Sequence, residues 1–299
     1  MNAHYNGIMT TPLFSQHYPP HSDAFAQLVS AQVSAALTED MGSGDLTAQL
    51  IPAQQHAEAT VISREAAVIC GQHWFNDCFL QLDPKTVITW HVKEGDSVVP
   101  NQKLCGISGH ARALLSAERT ALNFLQTLSA TATETRRYVD AIKGLSAAIL
   151  DTRKTIPGLR LAQKYAVTVG GGLNQRLALY DGILIKENHI ATAGSITAAL
   201  HSAFELHPHV STQIEVENIV QLQEALQAGA KSILLDNFSL EQLREAVNIN
   251  QKRAVLEASG NVSLSTVRDI AATGVDRISV GSLTKHIHAV DLSMRIKMH

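Results

Sequence analysis

Short apolar runs that end in a polar or charged group recur six times in the second half of the chain. Each run is bounded by turn residues, which is typical of a buried strand. Helix-like segments separate most of the runs, and this alternation predicts βα units and a parallel sheet. The six runs with their polar ends are AAILDTRK, GILIKENH, TQIEVEN, SILLDNF, AVLEASGN and RISVGSLTK.

Six strands are clear in this pattern, and we predict a seventh around Tyr165–Val169. A complete TIM barrel has eight strands, so an incomplete barrel is an equally good interpretation. In either case the reactive groups lie just past the carboxyl ends of the strands, which meet at one face. The strand-end residues are therefore expected to line one pocket that contains both cations and carboxylates.

The first half of the chain predicts a different domain. The segments AFAQLVSAQVSAAL and HWFNDCFLQL have helical patterns, whereas ATVISREAAVICG and TVITWHVKEGDSV alternate like strands of an antiparallel or mixed sheet. The segment ARALLSAERTALNFLQTLSATATETRRYVDAI predicts one or two helices. We therefore divide the chain into a loose, proline-containing arm (residues 1–22), an N-terminal domain (23–130), joined by residues 287–299 if the chain end returns to it, and a barrel domain (131–286).

The composition excludes several classes of protein. The 299 residues are 45% hydrophobic and 17% charged, as in an ordinary globular protein. A net charge of −3 argues against a general binder of nucleic acid or of membrane surfaces. The three cysteines have no CxxC spacing, so they predict buried, reduced side chains rather than a disulfide framework or a zinc site. The absence of a long apolar stretch and of a cationic leader predicts a cytoplasmic protein.

Four cations follow or lie near the predicted strand ends. Arg153 and Lys154 come directly after an apolar run, and Arg176 and Lys186 follow the triple glycine Gly170–Gly172. An isolated Arg-Lys pair is ordinarily two solvated loop cations, but the strand-end position and the Pro-Gly turn that follows favour binding of a carboxylate or phosphate. Lys186 ends the run GILI, where a cation is costly unless a carboxylate or an anionic ligand meets it.

Two carboxylates and two loops of small residues complete the set. Glu215 and Asp236 each end a strand, where they can accept hydrogen bonds from ribose hydroxyls, hold Mg²⁺ or stabilise a cationic sugar. The alternative is a structural ring of ion pairs. Ser259–Asn261 and Ser279–Thr284 occupy the last loops of the barrel, which commonly bind phosphate. Ordinary βα turns with helix caps would have the same sequence pattern.

Two further polar residues have open roles. Arg119 lies in a helix outside the barrel, with Leu115 and Leu122 about one turn to either side. It forms either a surface salt bridge or a contact across a subunit interface. His189 is interpreted as a helix-capping group rather than a site residue.

These motifs carry a family resemblance. Seven segments resemble, in this order, those of the quinolinate phosphoribosyltransferases. They are RTALNFLQTLSATAT, DTRKTIPGLRLAQKYAVTVGGG, NQRLALYDGILIKENHI, EVEN, LLDNF, EASGN and ISVGSLTKH. The similarity covers nearly all of the chain from about residue 35. It implies an N-terminal α/β open sandwich and a C-terminal, incomplete, seven-stranded TIM-like α/β barrel, with the chain end returning to the first domain. It also implies a homodimer, or a hexamer built from it, in which Arg119 is donated across the interface.

The resemblance implies a pentosyl transfer in de novo NAD synthesis. Quinolinate and 5-phosphoribosyl-1-diphosphate would give nicotinate mononucleotide, diphosphate and CO₂, with Mg²⁺ as cofactor and Glu215 and Asp236 holding it indirectly, through the diphosphate substrate or water. The catalytic residues implied are Lys154, Lys186, Glu215 and Asp236. The substrate-binding residues implied are Arg119, Thr152, Arg153, Lys154, Gln175, Arg176, Lys186, Glu215, Asp236, Ser259, Gly260, Asn261, Ser279, Val280 and Gly281.

One position departs from the family pattern. The family usually has His before the arginine of its NHR motif, whereas this chain has Gln175. Gln can donate a hydrogen bond but cannot carry a charge, so quinolinate affinity or the pH profile is expected to differ. Three alternatives stay open at this point: a paralogous pyrophosphorylase-like enzyme with another substrate, a non-catalytic phosphosugar-binding regulator, and another TIM-type enzyme such as a phosphosugar isomerase.

Overall fold

The computed structural model of the protein describes residues 12–298. Its contacts divide the chain into two compact units. The N-terminal unit comprises Phe14–Arg136, Thr155–Gly171 and the chain from Thr284 onward. The barrel unit comprises Arg137–Lys154 and Gly172–Leu283. The sequence-based domain limits at residues 130 and 286 stay a prediction.

The first part of the chain alternates helices with antiparallel strands, of which β2 and β4 form a separate two-stranded sheet. Its elements are α1 (Leu13–His17), α2 (Asp23–Met41), β1 (His56–Ser63), β2 (Ala67–Val68), α3 (Gln72–Leu82), β3 (Val87–Trp90), β4 (Ser97–Val98), β5 (Lys103–His110) and α4 (Ala111–Ala141). Helices α2 and α3 were predicted, and α4 is one continuous helix rather than two. Ser22 begins α2 by accepting a hydrogen bond from the Phe25 N–H at 3.2 Å.

The remaining elements alternate strand and helix. They are β6 (Ala148–Leu150), α5 (Arg160–Val169), β7 (Ile183–Ile185), α6 (Glu187–Ala193), α7 (Ile196–Leu206), β8 (Thr212–Val216), α8 (Ile219–Gln227), β9 (Ser232–Asp236), α9 (Leu240–Asn250), β10 (Val255–Ser259), α10 (Val267–Ala271), β11 (Arg277–Ser279), α11 (Ser282–Lys285) and β12 (Leu292–Met298).

The end of the chain completes the sheet of the N-terminal unit. This sheet has the strand order β12-β1-β5-β3, and every pairing in it is antiparallel. Strand β12 runs beside β1 with Ala57 opposite Met298 and Ser63 opposite Leu292. The expected return of the chain end to the first domain is therefore confirmed.

The arm predicted over residues 1–22 lies partly outside the described residues. Residues 13–17 instead form α1, and Phe14 is buried in an aromatic cluster. Its ring centroid lies 6.1 Å from that of Phe25 and 5.6 Å from that of Tyr165. A proline-rich segment lacks periodicity, but one large aromatic side chain is enough to anchor it.

The barrel unit contains a parallel sheet of six strands with the order β6-β11-β10-β9-β8-β7. Alternate side chains point to opposite faces of a strand. The outward-facing side chains pack with the helices into one apolar cluster; these include Ile214, Val216, Ile233, Leu235, Leu256, Ala258, Ile278 and Val280. The inward-facing side chains include polar and charged groups. This alternation confirms an incomplete TIM-like barrel with the strand ends at one face.

The seventh strand predicted at Tyr165–Val169 is wrong. These residues form the end of α5, whose residues 162–167 are all buried, and the segment belongs to the N-terminal unit. The Tyr165 ring packs at 5.4 Å from Trp74 and 5.3 Å from Phe25, measured between centroids. A single parallel bridge between Leu150 and Leu173 stands beside β6 in the place of a further strand.

Candidate active site

A buried carboxylate organises the loop after the Leu173 bridge. Asp151 is fully buried just past β6. Its carboxylate accepts hydrogen bonds from the Asn174 side chain at 2.7 Å and from the Gln175 backbone N–H at 2.9 Å. These bonds hold the first residues of the loop against the end of β6, and Arg176 is the next residue along the chain.

Two guanidinium groups lie close enough to influence each other. The Nε atoms of Arg153 and Arg176 are buried, and within residues 12–298 neither has a hydrogen-bond partner. Arg176 Nη1 donates to the Gly182 carbonyl at 3.0 Å, which fixes the plane of its guanidinium. Burial and then the charge of Arg153 lower the pKa of Arg176, while Asp181 opposes the shift. Two adjacent cations with unused donors form a site for an anion with more than one carboxylate.

A second cluster lies at the ends of β7, β8 and β9. The Lys186 ammonium donates to Glu215 across 2.8 Å. Burial and then the charge of Glu215 raise the pKa of Asp236, while Lys186, a hydrogen bond from Asn237 and Lys154 oppose this shift. The structure thus brings together all four residues expected to be catalytic. Carboxylates and ammonium groups interleaved in this way suit a substrate that carries both hydroxyls and negative charge.

The two small-residue loops approach this cluster. Gly260 has φ +102°, and a Cβ atom built there would overlap Asn237 Oδ1. The Asn237 backbone N–H donates to the Ser259 carbonyl at 2.9 Å, and Asn261 Nδ2 lies 3.5 Å from Asn237 Oδ1. A side chain at position 260 would therefore displace Asn237, which in turn donates to Asp236 at 2.8 Å.

The other loop lies against a lysine of the predicted catalytic set. A Cβ atom at Gly281 would lie 3.2 Å from the Lys154 side chain. The Thr152 hydroxyl accepts a hydrogen bond from the Lys154 N–H at 3.1 Å and so shapes the turn after β6. Val280 differs from its neighbours, because its side chain lies in the apolar cluster and its N–H donates to the Leu150 carbonyl at 2.9 Å.

A line of polar side chains inside the barrel joins Gln175 and Ser279, which were predicted site residues, through Gln213 and Glu257, which were not. Gln175 Nε2 donates to Gln213 Oε1 at 3.1 Å, and Gln213 Nε2 donates to Glu257 at 2.9 Å. The other oxygen of Glu257 accepts a hydrogen bond from the Ser279 hydroxyl. Gln213, Glu257 and Ser279 are 6%, 1% and 5% exposed. The available signal was a polar residue in the middle of an otherwise apolar run.

The structure shows the surroundings of Arg119 and His189, the two residues whose roles the sequence left open. Arg119 is exposed on α4 in the N-terminal unit and is not among the side chains that the barrel unit brings together. Burial raises the pKa of the neighbouring Glu118, and the charge of Arg119 opposes that increase. His189 Nδ1 accepts a hydrogen bond from the Lys186 N–H at 3.0 Å, so its predicted capping role is confirmed.

The described residues contain neither a ready metal cage nor a membrane-spanning helix. In residues 12–298, no three His, Cys, Asp or Glu side chains are grouped so that they could hold a metal ion. Over the same range, every helix is too short or too polar to cross a bilayer. Any divalent cation at Glu215 and Asp236 would therefore need further ligands from a substrate or from water.

Comparisons with known proteins match both halves of the chain. The family models for the N-terminal and C-terminal domains of quinolinate phosphoribosyl transferase match residues 45–129 and 131–295. The probable nicotinate-nucleotide pyrophosphorylase (carboxylating) of Bacillus subtilis is 40% identical over 261 residues, which is 87% of this chain and 90% of the relative.

Solved structures agree over the same extent. The nicotinate-nucleotide pyrophosphorylase of Francisella tularensis is 44% identical with a TM-score of 0.86, and the match covers 91% of this chain and 97% of that one. NadC from Streptococcus pyogenes is 36% identical with a TM-score of 0.89, covering 93% of this chain and 99% of that one.

Proposed function

The chain belongs to the quinolinate phosphoribosyltransferase family, and we propose that the residues gathered at the open face of its barrel carry out that family's reaction. The enzyme transfers the phosphoribosyl group of 5-phosphoribosyl-1-diphosphate to quinolinate with loss of CO₂. The products are nicotinate mononucleotide, diphosphate and CO₂, and the step belongs to NAD biosynthesis. The substrate positions that follow are inferred from the geometry of the site.

The paired arginines support the position of quinolinate. Quinolinate is a planar pyridine with two adjacent carboxylates. Arg153 and Arg176 offer buried Nε donors that have no partner within the described residues, and burial and then the charge of Arg153 lower the pKa of Arg176. A dianion opposes that shift and satisfies both donors. This unsatisfied pair is the observation that carries the assignment.

The carboxylate and lysine cluster supports the position of the phosphoribosyl group. Glu215 and Asp236 accept hydrogen bonds from the ribose hydroxyls, and Lys154 and Lys186 balance the diphosphate. The loops Ser259–Asn261 and Ser279–Gly281 receive the 5′-phosphate. Gly260 and Gly281 suit this role because a side chain at Gly260 would contact Asn237 and one at Gly281 would contact Lys154. Without side chains, these two positions allow a ligand to approach the backbone closely.

Mg²⁺ fits this arrangement as a substrate-borne cation. Two neighbouring carboxylates with few other protein ligands are the usual protein contribution when Mg²⁺ is held mainly by phosphates and water. Glu215 and Asp236 would hold it from the protein side, and the raised pKa of Asp236, caused by burial and then by the charge of Glu215, reflects a carboxylate pair that a cation would relieve. When bound, Mg²⁺ neutralises charge on the leaving diphosphate.

The residues act by position and charge rather than through a covalent intermediate. As diphosphate departs, the ribosyl centre becomes cationic, and Glu215 and Asp236 stabilise that charge. Arg153 and Arg176 hold the pyridine so that its nitrogen meets the same carbon, which removes much of the entropic cost of bringing two anions together. The nitrogen then becomes a pyridinium, whose positive charge stabilises the electron pair left on the adjacent ring carbon when its carboxylate leaves as CO₂. That carbon then takes up a proton from solvent.

We further propose a homodimer, or an assembly of dimers, in which Arg119 reaches the site of the neighbouring subunit. Arg119 is an exposed cation on α4, and the barrel site has cationic contacts for a dianion that one more guanidinium would complete. The three cysteines are fully buried and free, which suits the reducing cytoplasm as the place of action.

One assay separates this function from the paralogous alternative. Purified protein is incubated with quinolinate, 5-phosphoribosyl-1-diphosphate and Mg²⁺, and nicotinate mononucleotide and CO₂ are followed together. We expect both to appear in equal amounts, and nicotinate, which lacks one carboxylate, to be a poor substitute. Nucleotide formation without CO₂, or faster reaction with nicotinate, would instead indicate a paralogue with another pyridine acid as substrate.

A further inference from the structure

Glu257 is a buried carboxylate that is not among the residues proposed to bind a substrate. It is 1% exposed in the middle of β10 and accepts hydrogen bonds from Gln213 Nε2 and from the Ser279 hydroxyl. Desolvating a carboxylate at this depth is costly unless its bonds serve the fold or the site. Its partner Gln213 bonds Gln175, the residue before Arg176 of the proposed quinolinate position. Its partner Ser279 belongs to the loop proposed to bind the 5′-phosphate.

The two hydrogen bonds that Glu257 accepts determine the orientation of two side-chain amides. Both of its carboxylate oxygens act as acceptors, so Gln213 must turn its nitrogen toward Glu257. Its oxygen then faces Gln175, which must turn its own nitrogen toward Gln213, as the 3.1 Å bond between them shows. The side-chain amide of Gln175, the residue before Arg176, is thereby held in one orientation. Its backbone N–H donates to Asp151, which holds the main chain at this point.

We propose that Gln213 and Glu257 are positioning residues for quinolinate, acting through the amide of Gln175. This inference rests on the proposed position of quinolinate at Arg153 and Arg176. A Gln amide has two ends of nearly equal shape, and the hydrogen bond to Gln213 sets which end of the Gln175 amide faces that residue. An amide that is oriented before the dianion binds does not have to be reordered on binding, which strengthens affinity. The Gln175 amide thus provides a fixed polar group beside Arg176 without the imidazole that the family usually has at this position.

The substitution Glu257→Gln reverses this line without changing its volume. The new amide oxygen can still accept from Ser279, so its nitrogen faces Gln213. Gln213 must then turn its oxygen toward position 257 and its nitrogen toward Gln175, whose own amide is forced to reverse. All the hydrogen bonds of the line can reform, but Gln175 then presents the opposite end of its amide to the proposed quinolinate position. We expect KM for quinolinate to rise about three- to tenfold, the scale of one neutral hydrogen bond, with KM for the phosphoribosyl substrate nearly unchanged.

The exchange Gln213→Glu with Glu257→Gln is the decisive variant. It moves the carboxylate one place along the line, from position 257 to position 213. The amide introduced at position 257 then donates to that carboxylate, which also accepts from Gln175, as the side-chain oxygen of Gln213 does in the original chain. The double variant keeps the composition and should return KM for quinolinate to within about twofold of the unsubstituted enzyme. A purely structural role for Glu257 would not produce this rescue.

The experiment is steady-state kinetics on the assembled enzyme with each substrate varied in turn, and with thermal unfolding as a control. Failure of the unsubstituted enzyme to use quinolinate would contradict the proposed function itself. An active enzyme in which Glu257→Gln leaves KM for quinolinate unchanged, or in which the exchange variant is no better than the single one, would overturn the positioning role. If Glu257→Gln does not fold, Gln213→Leu replaces it, since it cuts the line while leaving the bond between Ser279 and Glu257, and the same rise in KM is expected.

Discussion

Lys186 Nζ lies 2.8 Å from Glu215 Oε2 and joins the ends of the adjacent parallel strands β7 and β8. The lysine side chain is 48% exposed while the glutamate is 11% exposed, so the pair faces the open mouth of the barrel. Burial and then the charge of Glu215 raise the pKa of Asp236, and the same ammonium opposes that rise. One cation therefore pairs with Glu215 and opposes the rise in the pKa of Asp236, where the ribosyl group is proposed to bind.

Replacing Lys186 by Met should reduce kcat about 100-fold, the scale for losing one preorganised charge in a catalytic site. The reason is that burial and the charge of Glu215 would then raise the pKa of Asp236 without the opposing charge of Lys186. Lys252→Met is the matched control, because Lys252 forms a 3.0 Å pair with Asp276 and is 73% exposed. Steady-state rates should show no change for the control. Equal losses in the two variants would contradict a specific role for Lys186.

Asp236→Asn should make the protein more stable at neutral pH while abolishing most of its activity. Burial and then the charge of Glu215 raise the pKa of Asp236 in the folded protein above its ordinary value of 3.8. Between these two pKa values the folded state therefore binds more protons than the unfolded state. Stability from this group falls as pH rises through that window and stays reduced above it.

Thermal unfolding of both proteins from about pH 3 to about pH 8 tests this relation. The variant should unfold at the higher temperature near neutral pH, and the difference should shrink as pH falls toward 3.8, the ordinary pKa of the group. A variant less stable than the original at neutral pH would show that the hydrogen bond from Asn237 outweighs the repulsion from Glu215.

Gly260→Ala should raise KM for 5-phosphoribosyl-1-diphosphate about tenfold and lower the free energy of unfolding by roughly 1–3 kcal/mol. The new Cβ would overlap Asn237 Oδ1 in a backbone with φ +102°. Gly194→Ala is the control, because Gly194 has φ +90° but no atom within 4 Å of a built Cβ. The control should lose stability without any change in KM. A similar KM change in both would mean that backbone strain alone is responsible.

Arg119→Ala and Asp236→Ala should each be inactive alone and regain activity when mixed. Equal co-expression makes half of the dimers mixed. If Arg119 serves the partner's site, one of the two sites in each mixed dimer carries neither change. About a quarter of the original activity is then expected. Purification through two different tags isolates the mixed dimer for the measurement. Mixed dimers without activity would show that Arg119 does not act across the interface.

The strand-end prediction succeeded because it rests on a geometric rule rather than on local propensity. Each apolar run of the barrel packs its outward side chains on helices, so the polar residue that ends the run falls at the shared face. Lys186, Glu215 and Asp236 could therefore be grouped from the sequence alone. Their hydrogen bonds and pKa shifts could not be, since these depend on distances between strands.

The two errors have separate physical causes. Tyr165–Val169 has strand-like β-branched and aromatic residues, but Tyr165 packs among Phe14, Phe25 and Trp74, and that packing favours helix α5. Gln213 was not among the predicted site residues, because one polar residue within an apolar run does not reveal its partner. Inside this barrel it faces Glu257, a partner 44 residues away.

The pairing of β1 with β12 sets an order on synthesis at the ribosome. Residue Ala57 lies opposite Met298, so one edge of the N-terminal sheet stays without its partner strand until almost the whole chain has been translated. The barrel unit ends at Leu283, before β12 begins at Leu292. An unpaired edge strand is a site for aggregation. A nascent chain stalled or truncated before Leu292 would therefore expose the edge of β1 to other chains.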